Sequence, residues 1–122
     1  MLLLEGSEML PIFIDNSKLP VWLSRLSPIE IGSITIGPLI FSRGISSERT
    51  RRHEAIHWEQ YKECLIVGFL ILYLAFWLRG LLRGLGGSGA YYDIPFEREA
   101  YNNDHDLEYL ENRRLWAWRK EL

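Results

Sequence analysis

The run His53, Glu54, Ala55, Ile56, His57 reads H-E-x-x-H and constrains this chain more than any other stretch. On a helix, residues four apart share a face about one turn apart, so both imidazoles can close on a single ion while Glu54 projects beside them. Two neutral imidazoles with an adjacent carboxylate suit Zn²⁺ and the deprotonation of a water held on it. Such a site lacks one protein ligand, which a later element must bring against the motif helix. The competing reading is a helix face that happens to carry two histidines. At average amino-acid usage that accident occurs only on the order of once in several hundred chains of this size.

The 122 residues, 48% hydrophobic and 25% charged, fit one small domain over residues 1–122 with a modest core. A net charge of -2 supplies no basic field, so no nucleic-acid partner is expected. Arg49, Arg51 and Arg52 read as a solvated helix start. Cys64 is the single cysteine, which excludes an internal disulfide framework and a cysteine-based zinc cluster and suits a reducing compartment. Met1 to Leu4 is apolar but lacks the basic flank and cleavage site of a signal peptide, so the expectation is a cytoplasmic protein.

Prolines 11, 20 and 28, with Asp15 and Asn16, predict loops over residues 1–28, with a helical turn near Trp22. Ile29, Ile31, Ile34 and Ile36 alternate with polar residues and predict a strand bulged at Gly32. Leu39, Ile40 and Phe41 form a second short strand. Pro38 cannot donate to a ladder, which places this segment at an edge, where it could accept an extended peptide. Ser46 or Ser47 caps the motif helix, with Glu48 in its first turn. Gln60 or Tyr61 and then Cys64 continue the inward face, while Trp58, Glu59 and Lys62 turn elsewhere.

From Leu65 to Leu78 no side chain is charged, so this helix is buried all round or in lipid. At ~1.5 Å per residue it reaches roughly 21 Å, short of the ~30 Å hydrocarbon layer, unless Arg79 and Arg83 snorkel and carry it to Leu85. A core or oligomer-seam helix is expected ahead of a membrane contact through residues 65–85. Gly84, Gly86, Gly87 and Gly89 predict a flexible loop. Pro95 opens a helix carrying Phe96 to Tyr101, and Leu107, Leu110, Leu115, Trp116 and Trp118 predict a terminal amphipathic helix. The fold class is α+β: an N-terminal hairpin or edge strand packed on a mainly helical core.

The extended metzincin pattern is absent, since Gln60 and Glu63 stand where its glycine and third histidine would be. The Pro95 helix offers Glu97 and Glu99 instead. With them the chain resembles the gluzincin metallopeptidases, which join H-E-x-x-H to a downstream glutamate, and most of all small metallopeptidase-like proteins of phages and bacteria. In that group the ligand glutamate is commonly followed three positions on by a small residue, as Glu97 is by Ala100; Glu99 has Asn102. The resemblance implies a zinc-dependent endopeptidase acting on a peptide or protein, with His53, His57 and Glu97 as ligands and Glu99 as the alternative. Glu54 would be the proton acceptor. Gluzincins often place an aspartate four positions after the ligand to hold the first histidine; here Tyr101 stands there, leaving its phenol or Glu99 to orient the imidazole. Tyr91, Tyr92 and His105 are the candidate oxyanion donors, although spacing secures none of them. More simply, His105 between two aspartates is a surface or capping residue, Cys64 a small buried hydrophobe, and the tyrosine pair and terminal tryptophans packing groups. Two other classes stay open: a zinc-binding interaction module without turnover, and a membrane-associated protein organised by the apolar helix 65–82.

Overall fold

The structure is a computed structural model that describes residues 11–27 and 29–122, and the sequence readings of Met1 to Leu4 and of Pro28 lie outside the described residues. It is α+β, as expected. Among the described residues three strands, β1 (Ile12–Ile14), β2 (Ser33–Ile36) and β3 (Leu39–Ser42), precede the helical part, with a short helix α1 (Leu19–Ser24) between the first two. The sheet order is β1-β3-β2. β1 runs parallel to β3 with Ile12 opposite Leu39, and β2 runs antiparallel to it with Ser33 opposite Ser42.

Several expectations for this half need correction. Ile12 to Ile14, read as irregular, form a strand because β3 offers them a parallel partner, and the helical turn near Trp22 is α1. The strand expected from Ile29 begins only at Ser33. The backbone of Ile31 is taken instead by side chains: its N–H donates to Ser24 Oγ (2.7 Å) and its carbonyl accepts from Arg43 Nε (3.0 Å). Leu39–Ser42 is the central strand, not an edge. Pro38 sits in the turn ahead of the ladder, where only its carbonyl is needed, and that accepts from Ile12 N–H (2.7 Å). Gly37 takes the left-handed backbone of this tight turn (φ 58°) at no steric cost. Among the described residues, β2 is the edge that lies against the motif helix.

The motif helix α2 (Glu48–Glu63) starts at Ser47, whose Oγ accepts from Thr50 N–H at 3.1 Å. It stops in a Schellman turn: Ile66 N–H reaches Tyr61 O (2.8 Å) and Leu65 N–H reaches Lys62 O (3.4 Å). Leu65 stands in the left-handed position that glycine usually fills (φ 60°), followed by Ile66 (φ 57°). The chain is thereby turned into α3 (Val67–Leu82), which is bent 111° away from α2.

Among the described residues, only one side of α3 is covered. Phe69 is buried in a cluster with Tyr61, Ile94, Phe96, Trp118 and Trp58, and Leu72, Tyr73, Phe76 and Trp77 pack on it. Trp58 therefore belongs to the core rather than turning elsewhere. Val67, Leu70, Ile71, Leu74, Leu78 and Leu82 are exposed, so the helix is not buried all round. No single helix among the described residues is long and apolar enough to cross a membrane. The glycine run is not a loop: Gly86–Tyr92 is a short helix, α4. Packing overrides glycine's poor propensity, since a Cβ on Gly80 would meet Ala90 Cβ at 2.6 Å and Trp77 Nε1–H donates to Gly87 O (3.0 Å).

Helix α5 (Pro95–Asn103) opens on Pro95 and crosses α2. The expected terminal amphipathic helix is two short pieces, α6 (Tyr109–Asn112) and a 3₁₀ turn (Ala117–Glu121). Arg113 breaks it by turning inward to Glu63 and Glu99, and Trp116 adopts a left-handed backbone (φ 62°) with its N–H on Glu63 Oε2.

Candidate metal centre

Helical spacing stacks His53 and His57 on one face of α2, with ring centroids 4.9 Å apart. Glu97 comes from the first turn of α5, the helix that packs on α2, and Ala100 one turn further on is fully buried. His53 Nε2 lies 3.3 Å and His57 Nε2 3.1 Å from the same oxygen, Glu97 Oε1. One ligand atom from each of the three residues falls within 4.8 Å of the other two, a group that could hold a metal ion.

The remaining ring nitrogens face acceptors. His53 Nδ1 is 2.9 Å from Asp104 Oδ2 and His57 Nδ1 is 2.8 Å from Gln60 Oε1. Asp104 is anchored in turn by Arg49 Nε (2.7 Å), and its carbonyl accepts from Arg52. A neutral ring that donates through Nδ1 carries its lone pair on Nε2. Two such lone pairs beside one carboxylate oxygen in a buried site require a positive charge between them, either protons or a metal cation. The titration shifts express this demand. Burial pulls His57 down, but the charge and hydrogen bond of Glu97 push it up to about 9. His53 is likewise raised: burial and the His57 charge pull it down, but the hydrogen bond to Glu97 and the charges of Glu54 and Glu97 together push it up. Burial would push Glu97 up, yet the two imidazoles hold it far below the usual carboxylate range. An N,N,O donor set with both Nδ1 atoms occupied fits a divalent borderline cation.

Glu54 lies beside the cluster, buried, with Oε1 accepting from Thr35 Oγ1 of β2 at 2.7 Å. All four motif and ligand residues line a cavity of about 850 Å³, walled on the other sides by Ile34 and Thr35 of β2, Leu70 and Leu74 of α3, and Tyr91 of α4.

The other sequence candidates separate. Glu99 is not part of the cluster: it accepts from Gln60, Tyr109 and Arg113, and against burial these partners, Arg113 foremost, hold its carboxyl below the usual value. Tyr101 does not hydrogen-bond the imidazole. Its ring meets His53 edge-on (4.4 Å), and its hydroxyl pairs with that of Tyr91 (3.1 Å). Tyr91 and Tyr92 line the cavity, whereas His105 is exposed and is not among its lining residues.

Three residues escaped the sequence reading. Asp104 holds His53 from seven positions after Glu97, not four. Tyr73 donates to Glu97 Oε2 at 2.7 Å; as the one hydroxyl in the Leu65–Leu78 run it did carry a signal. Gln60 lies on the expected inward face, and its partner there is His57 Nδ1. Compared with known protein families, with curated proteins and with solved structures, the chain finds no match in any of the three.

Proposed function

We propose that this chain is a zinc-dependent peptide hydrolase of the gluzincin type, with His53, His57 and Glu97 as zinc ligands and Glu54 as proton carrier. One observation carries the reading: two imidazole Nε2 atoms and a carboxylate converge within 4.8 Å on the wall of a large cavity that Glu54 also lines. Zinc, when bound, supplies a Lewis acid for the scissile carbonyl and brings the pKa of water toward ~7. Glu54 takes a proton as the water oxygen bonds to the carbonyl carbon, and returns it to the nitrogen as the C–N bond breaks. Thr35 fixes one Glu54 oxygen so that this transfer has a defined direction. Asp104 and Gln60 orient the two imidazoles, and Tyr73 holds the second oxygen of Glu97. Tyr91 remains a hydroxyl donor, since burial pushes its pKa far up, and it can steady negative charge developing in the cavity. Among the described residues β2 pairs with β3 alone, and Ser33 to Thr35 line the same cavity, so an extended peptide can add there as a strand.

The test is elemental analysis of zinc alongside hydrolysis of a fluorogenic peptide library. Wild type should carry about one zinc per chain, lost in His57→Ala and Glu97→Gln and retained in Glu99→Gln. Glu54→Gln should keep the metal while kcat falls about 10²- to 10⁴-fold. Zinc with no hydrolysis in wild type would favour a metal-binding interaction module; no zinc after reconstitution would reject both readings.

A further inference from the structure

Gln60 is fully buried, and its amide fits only one way round. Its Nε2 stands 3.0 Å from the carbonyl of Phe96 and 2.9 Å from Glu99 Oε1. The first of these atoms can only accept. The second belongs to a carboxylate ringed by donors, with Tyr109 O–H and Arg113 Nε each 2.6 Å from Oε2 and Arg113 NH2 3.1 Å from Oε1. Turning the amide over would set two acceptors against its oxygen, so Nε2 must be the donor and Oε1 the acceptor. An acceptor 2.8 Å from His57 Nδ1 then places the ring proton on that nitrogen. The neutral lone pair is left on Nε2, the atom that faces Glu97.

The anchors of the amide are themselves fixed. Phe96 O belongs to the first turn of α5, and Arg113, which holds Glu99, also forks onto both oxygens of Glu63 at 2.8 and 3.0 Å. We propose that Gln60 is a positioning residue that sets the tautomer of His57, and that Glu99 and Arg113 keep its amide turned to do so. The C-terminal segment thus determines which nitrogen of the motif helix is offered to the metal. His53 reaches the same result by a separate route, through Asp104. The use of this device rests on the metal reading above, whereas its existence rests on hydrogen-bond directions alone.

Zinc-loaded protein labelled with ¹⁵N-histidine gives the direct test. In wild type, His57 should show a slowly exchanging proton on Nδ1 and the metal-bound shift on Nε2. Gln60→Met removes the acceptor at similar volume. It should weaken zinc in chelator competition by about 10- to 100-fold and speed exchange of the His57 Nδ1 proton, with the His53 Nδ1 proton unaffected. Tyr109→Phe takes one donor from Glu99 without touching the amide and should change neither reading. A bare Nδ1 on His57 in wild type overturns the proposal even if Gln60→Met does not fold. So does a folded Gln60→Met with unchanged affinity and exchange. Should wild type take no zinc, the metal reading falls by itself. The tautomer is then read in the metal-free protein at alkaline pH, where a proton on Nδ1 upholds the relay and one on Nε2 overturns it.

Discussion

The space between α2 and α5 and the outer side of α3 invert the usual arrangement of a small domain. Between α2 and α5, histidines, carboxylates and an amide are buried, and each has a partner. On the outer side of α3, aliphatic side chains stand in the open, Val67 at 64% and Ile71 at 63% exposure. The buried side-chain polar atoms that do lack a partner among the described residues are Arg79 Nε and Trp118 Nε1, neither of them in the histidine–carboxylate–amide network. Burying polar groups costs free energy unless all are satisfied, and a domain of this size has little apolar burial to offset that cost. A complete buried network is therefore kept for what it holds. The open side of α3 teaches the converse: a helix built on an uncharged run such as Leu65–Leu78 need not be a core helix.

The comparison breaks most sharply at Arg113, whose side chain is 3% exposed against Glu63 at 5% and Glu99 at 0%. Arg113→Met should strand two buried carboxylates and cost about 3–5 kcal/mol in urea unfolding at pH 7. Phe69→Ala, on the covered side of α3, should cost about 3–5 kcal/mol by opening a cavity among Tyr61, Phe96 and Tyr73. If Arg113→Met costs less than 1 kcal/mol, the network is not what holds this interior together.

Next in size is the metal site. Asp104→Asn should lower zinc affinity about 10- to 100-fold, worth roughly 1.4–2.7 kcal/mol, because the amide no longer favours a proton on His53 Nδ1. Unchanged affinity in a competition titration would remove Asp104 from the site. This residue also marks how far the sequence could be read. His53 and His57 fall together because the helix repeat itself spaces them, and Glu97 is legible as a carboxylate in the first turn of the helix that Pro95 opens. Asp104, Gln60 and Tyr73 acquire their roles from the angle at which α2, α3 and α5 cross, which no spacing within one helix encodes. The same physics hid β1, three residues long and a strand only because β3 lies alongside, and α4, helical only because Ala90 packs on Gly80.

A smaller effect follows from acid. Arg113 holds the Glu99 carboxyl below its ordinary 4.5 against the opposing pull of burial. A depressed carboxylate stabilises the fold above its unfolded pKa, and that contribution is lost as pH falls through the folded value. Wild type should therefore lose stability below about pH 4.5. In Arg113→Met burial is opposed only by the hydrogen bonds from Gln60 and Tyr109, Glu99 moves toward its neutral form, and acid relieves part of the damage. The gap between the two proteins in urea midpoint should narrow from pH 7 to pH 4; a constant gap would mean that Glu99 titrates as it does in the unfolded chain.

The smallest expected effect tests the open side of the comparison. Ile71 lies two residues from Phe69 on the same helix, yet it is 63% exposed where Phe69 is 4% exposed. Gln has at least the helix propensity of Ile and brings no polar group into the core, so Ile71→Gln should move the unfolding free energy by no more than about 0.5 kcal/mol. The pair of substitutions compares the two sides of one helix with backbone and length held constant. A loss for Ile71→Gln approaching that of Phe69→Ala would mean that the outer face is covered in solution, and the contrast between the two regions would disappear.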